Sequence, residues 1–88
     1  MAHTPSEAQI NRRGLLKLML RMPTVRDRLQ MLSANDDVLA LCGAFEDASA
    51  TLERLQRERT GVNLPAIVEY EELCRDIERE IMEICSHR

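Results

Sequence analysis

The sequence predicts an all-α fold: a long antiparallel helical hairpin, with one or two shorter N-terminal helices packed on its open end, forming a dimeric helical bundle. Three observations carry this expectation. Between Asp36 and Arg59, the residues Val38, Leu41, Phe45, Ala48, Leu52 and Leu55 recur at alternating steps of three and four, the pattern of one helical face. Beyond Pro65, the residues Ile67, Tyr70, Cys74, Ile77, Ile81 and Ile84 repeat that spacing. Residues 60–64 separate the two seams, a connection short enough to force an antiparallel return.

The elements follow in chain order. Thr4, Pro5 and Glu7 supply a capping hydroxyl, a first-turn proline and an acid three residues after the cap, so a first helix is expected from Pro5 to Arg21. Gly14 weakens it by about 1 kcal/mol relative to alanine without breaking it. At about 100° per residue, Leu15, Leu16, Leu18, Met19, Leu20 and Met22 cover more than half of its circumference, while Arg13, Lys17 and Arg21 share a narrow basic strip. So wide an apolar face implies burial on more than one side. Pro23 ends the helix, because it disfavours α geometry at Met22 and lacks a backbone donor. Thr24 can cap a short second helix that turns Val25, Leu29 and Leu32 inward and Arg26 outward.

Asn35 or Asp36 can cap the long third helix. Gly61 can close it in a left-handed conformation, and Asn63 and Pro65 offer a cap and a first-turn residue for the fourth. Within the hairpin, Phe45 is expected near Ile77 and Ile81, and Leu52 near Leu73 or Cys74. At the open end, Leu39, Cys42, Met82 and Cys85 fall on one edge, off the main seam. The first helix is the expected lid over that patch.

One Phe, one Tyr and no Trp leave an aliphatic core. The whole chain, 1–88, reads as a single domain, and burial against a second copy would add to the limited core of so short a chain. Charge divides it. Residues 1–35 carry six basic and two acidic side chains, whereas residues 36–88 carry six basic and thirteen acidic ones. A net +4 segment beside a net −7 hairpin predicts either internal attraction or two different partners. The apolar stretch Leu15 to Met22 is broken by Lys17 and Arg21, so it is neither a secretory signal nor a membrane span. Three cysteines, an odd number, point to free thiols in a reducing compartment, and a cytoplasmic location is the expectation.

Little in the sequence carries catalytic or metal chemistry. Cys42, Cys74, Cys85 and His87 are the soft-ligand candidates, but no Cys-x-x-Cys pair occurs. Cys74 and Cys85 lie about 16 Å apart on one helix at a rise of about 1.5 Å per residue, too far to share a zinc ion. No nucleophile, base and orienting group fall together, so neither an enzyme nor a cofactor is expected. The acids Glu69, Glu71, Glu72, Asp76, Glu78, Glu80 and Glu83 lack the Glu-x-x-His motif of bundle di-metal sites. They read as a solvated, partly salt-bridged face with Glu71–Arg75 and Arg75–Arg79–Glu83 spacings.

What remains is a binding protein: a small helical interaction module, an adaptor or regulator that works through helix-face contacts with another protein and with itself. The expected contact residues are Arg13, Leu16, Lys17, Leu20 and Arg21 on the first helix, with Leu16, Leu20 and Met22 as the apolar anchors if that helix is a free arm, or Val68 and Leu73 on the hairpin flank if it is docked. The rival is an anionic surface, nucleic acid or membrane, held by Arg12, Arg13, Lys17, Arg21, Arg26 and Arg28. No aromatic residue is interleaved with those cations to stack on bases or to sit at a lipid interface, which disfavours it.

Overall fold

Asn35 starts the main element. Its side-chain oxygen accepts hydrogen bonds from the backbone N–H groups of Asp37 (2.9 Å) and Val38 (3.1 Å), satisfying two orphan donors at the helix N-terminus. In the computed structural model, which describes residues 6–86, this helix runs Asp36–Arg57 and is the third of four. The elements are α1 (Glu7–Arg21), a 3₁₀ turn (Pro23–Val25), α2 (Arg26–Met31), α3 (Asp36–Arg57) and α4 (Leu64–Ser86). The expected all-α architecture is present, and α3 and α4 pack as the long hairpin.

The caps differ from expectation in two places. Ser6, rather than Thr4, caps α1: its hydroxyl accepts from Gln9 N–H at 3.2 Å, and the Gln9 side chain accepts from Ser6 N–H at 3.0 Å. Thr4 and Pro5 lie outside the described residues. At the other end of the hairpin, Gly61 does not take the left-handed conformation; α3 stops at Glu58, at φ −104° and ψ 34°. Asn63 does the work expected of the glycine, its side-chain amide donating to the Glu58 carbonyl at 2.8 Å. Asn63 N–H in turn donates to the Thr60 hydroxyl at 3.3 Å, which tightens the connection. Thr24 makes no capping bond, and the short second helix begins directly from the 3₁₀ turn opened by Pro23.

The core is aliphatic with one ring at its centre. Phe45, Leu18, Leu29, Ile81 and Cys42 are the largest fully buried side chains, and Ile77, Cys74, Val38 and Ala48 join them. Phe45 shares that cluster with Ile77 and Ile81, as the hairpin register requires, and Leu52 packs against it.

Helix α1 lies mainly across α3, while the 3₁₀ turn reaches α4 and α2 folds back onto α1. The molecule measures 44 × 33 × 19 Å, so its short axis is about two helix diameters deep. That depth permits one layer of N-terminal helices on the hairpin and no second layer over them. The crossing point is built from two glycines. Gly14 of α1 sits on the backbone of Cys42, where an added Cβ would overlap the carbonyl oxygen, and Gly43 of α3 sits on the Asn11 side chain.

The lid expectation holds for Cys42, which is fully buried, and fails for Met82. Met82 stays 37 % exposed and lines an open cleft with Met22, Pro23 and Thr24. The chain reaches α4 through its 3₁₀ turn, which is too short to cover the edge there. Within one chain α1 packs against α3, α2 and the 3₁₀ turn along one side of its apolar circumference. Leu15, Leu18 and Met22 are buried, but Leu16 and Leu20 point away from the hairpin.

Candidate docking face

The basic strip of α1 does not face solvent as a unit. Lys17 Nζ donates to the Ser49 hydroxyl at 3.1 Å and lies 3.0 Å from Glu46 Oε2 and 3.7 Å from Glu53 Oε1. The Glu46 side chain is only 12 % exposed, and its Oε2 meets the ammonium without hydrogen-bond alignment. The attraction is therefore Coulombic, screened by water on the Lys17 side and little on the Glu46 side. The Ser49 hydroxyl donates its own hydrogen bond to the Glu46 carbonyl at 3.2 Å, which leaves its acceptor lone pairs toward Lys17.

One turn later, Arg21 donates to Glu78 Oε1 on α4 at 2.9 Å, with its guanidinium carbon 5.8 Å from the Phe45 ring centroid. Lys17 and Arg21 thus tie α1 to both arms of the hairpin. Of the two outcomes the charge asymmetry allows, internal attraction is what Lys17 and Arg21 make. The acceptors carry their own pattern, Glu46, Ser49 and Glu53 at i, i+3 and i+7 along one face of α3. That pattern is visible in the sequence and was the missed counterpart of the basic strip.

Binding the inner edge of α1 leaves its outer face bare. Arg13, Leu16 and Leu20 follow each other at i, i+3 and i+7, so they form one stripe opposite the buried Leu18. Leu16 is 47 % exposed and Leu20 77 %. Arg12 and Arg13 flank this stripe, both exposed, with no ion-pair partner among the described residues. The outer face of α1 is thus an exposed apolar pair beside two uncompensated cations.

Of the residues expected to make contact, the structure therefore groups Arg13, Leu16 and Leu20, and commits Lys17 and Arg21 to the fold. Val68 and Leu73 do not join a common flank. Five residues of helix place them about 140° apart around α4, on opposite edges of the buried seam. Val68 (51 % exposed) shares its edge with Leu64, and Leu73 (44 % exposed) borders a shallow cleft with Glu69 and Tyr70.

No protein-family model matches the sequence, and comparisons with curated proteins and with solved structures likewise return no match.

The remaining surface offers weaker material. The expected Arg79–Glu83 pairing is replaced by Arg79 to Asp76 at 3.2 Å, the acid one turn earlier. Among the described residues, no group of three or more His, Cys, Asp or Glu side chains is arranged to hold a metal ion. Among the described residues, no helix is long and apolar enough to cross a membrane. The three cysteines are buried and free. Burial, and secondarily the neighbouring Cys85 thiol, pushes Cys42 up to about 11 from its ordinary 9.0. Burial also raises Cys74, with Glu78 adding to the effect and Arg21 and Lys17 opposing it. Cys85 is raised by burial and partly relieved by the Arg28 guanidinium. Raised thiols are poor nucleophiles near neutral pH, so these cysteines behave as small core residues. His3 and His87 lie outside the described residues.

Proposed function

We propose that the protein is a helical interaction module, an adaptor or regulator, that docks another polypeptide on the outer face of α1. One observation carries this reading. Leu16 and Leu20 are exposed on a helix whose other side is locked onto the hairpin by the Gly14 crossing and by Lys17 and Arg21. A rigid helix presenting leucines at i and i+4 costs little ordering entropy when a partner binds, and Arg12 and Arg13 favour an acidic rim on that partner. The rival, an anionic surface gripped by the six N-terminal cations, is weakened because Lys17 and Arg21 already neutralise carboxylates of the hairpin. The three free thiols support a reducing compartment, and the reading places the protein in the cytoplasm.

The experiment is capture from native extract with wild-type protein and the Leu16→Ser/Leu20→Ser variant, each checked for unchanged helicity and melting temperature. Proteins held by the wild type and lost by the variant support the reading. Identical captured sets would sink it.

A further inference from the structure

The α1 ridge has a chemical complement on the same chain. The outer face of α4 carries Glu69, Glu72, Asp76 and Glu80, all exposed, and of these only Asp76 has an ion-pair partner among the described residues. Beside them, Glu69, Tyr70 and Leu73 line a shallow cleft, with Leu73 exposed at 44 %. This cleft is apolar at its centre and acidic at its rim. The α1 stripe is apolar at its centre, Leu16 and Leu20, and basic at its rim, Arg12 and Arg13.

The two faces cannot meet within one molecule. Helix α1 is held against α3, and its end is tied to α4 through Glu78, which lies about 140° around α4 from Leu73. Between molecules nothing holds them apart.

We propose that the occupant of the α1 face is a second copy of this chain, with the Leu16–Leu20 ridge of one copy seated in the Glu69–Tyr70–Leu73 cleft of the next. This rests on the docking reading above and names its partner. Arg12 and Arg13 then lie against the α4 carboxylates, compensating Glu69, Glu72 and Glu80, which have no ion-pair partner among the described residues. Because the two surfaces differ, the pairing closes as a two-fold dimer where both ridges reach both clefts and otherwise continues head to tail. Charge at its rim makes association sensitive to salt, and its small apolar centre makes it reversible.

The test is mass in solution, by light scattering or sedimentation, on the full chain over a wide concentration range. Wild type is expected to rise above its 10.1 kDa monomer mass as concentration increases at low salt. It should return towards monomer in about 0.5 M salt, where screening acts within roughly 4 Å. Leu16→Ser/Leu20→Ser lacks the ridge and Glu69→Lys/Glu80→Lys repels it, so each alone stays monomeric. An equimolar mixture retains one good ridge and one good cleft, so it forms a one-to-one dimer and stops there. A wild type that remains monomeric throughout overturns the proposal, as does association that persists in either variant or a mixture that fails to pair. If wild type is monomeric yet still loses its captured proteins on Leu16→Ser/Leu20→Ser, the second copy is wrong and the docking face stands.

Discussion

Gly14 of α1 rests directly on the carbonyl of Cys42 in α3, with no room for a side chain between the two backbones. Gly14→Ala therefore sets two effects against each other. Helix propensity favours alanine by about 1 kcal/mol, but a Cβ there must push the whole helix off the hairpin. Because the obstacle is backbone rather than a mobile side chain, the steric effect wins, with an expected net loss of about 1–3 kcal/mol. Gly61 is the control: it has open space around it and no positive φ, so Gly61→Ala is expected to gain about 0.4–1 kcal/mol. Urea denaturation of both variants checks the pair, and a stabilised Gly14→Ala would refute the close crossing.

Lys17 is the second fastening, and its loss leaves Glu46 charged, nearly buried and without its cation. Lys17→Met is expected to cost about 1–2 kcal/mol, below the range for fully buried pairs because Lys17 itself is a third exposed. Adding Glu46→Gln should return most of that loss. A double-mutant cycle by thermal or urea unfolding measures the coupling, and independent, additive effects would show that the two charges do not interact.

Alkaline pH probes the core through Cys42. Its thiol is held up to about 11 in the folded chain and sits at 9.0 when unfolded. Between those values the unfolded chain releases the proton and the folded chain keeps it, so stability declines as pH rises. The contribution is complete below 9.0 and is lost through about 11. A loss of about 1–3 kcal/mol across this window is expected from this side chain, and Cys42→Ala should flatten that part of the profile. An unchanged profile in the variant would mean that Cys42 ionises as readily in the fold as out of it.

Removal of the Asn35 cap isolates a local contribution. Asn35→Ala frees the N–H groups of Asp37 and Val38, and a loss of about 1 kcal/mol is expected by chemical denaturation. Asn35→Ser or Asn35→Asp should restore most of it.

The hairpin was legible because two unbroken three-four patterns in the sequence each bury one stripe, and the Asn35 cap was legible because its chemistry is local. Cap choice among Thr4, Ser6, Gly61 and Asn63 was not, since each of these residues can serve and the packed ends decide. The role of Gly14 was hidden for a different reason: helix propensity registers a glycine only as a weakness, whereas its use here lies in a neighbour 28 positions away. The candidate face was half legible. Leu16, Leu20 and Arg13 were identified as contact residues, but an apolar circumference alone cannot show which third of it the hairpin covers. Lys17 and Arg21 looked equivalent to Arg13 until the carboxylates Glu46, Glu53 and Glu78 were brought beside them by long-range packing. Val68 and Leu73 lie about 140° apart around α4 and so are not one patch, a separation that a helical projection shows.

The most direct test of the docking face is site-specific photo-cross-linking in native extract, with a photoreactive residue at position 20 or at position 31. Leu20 and Met31 are nearly equally exposed, at 77 % and 74 %, so random encounters label both alike. A discrete cross-linked band, whether to a second copy or to another polypeptide, is expected from position 20 and not from position 31. Equal labelling at the two positions, or no discrete product from position 20, would contradict the claim that the outer face of α1 is where this protein binds.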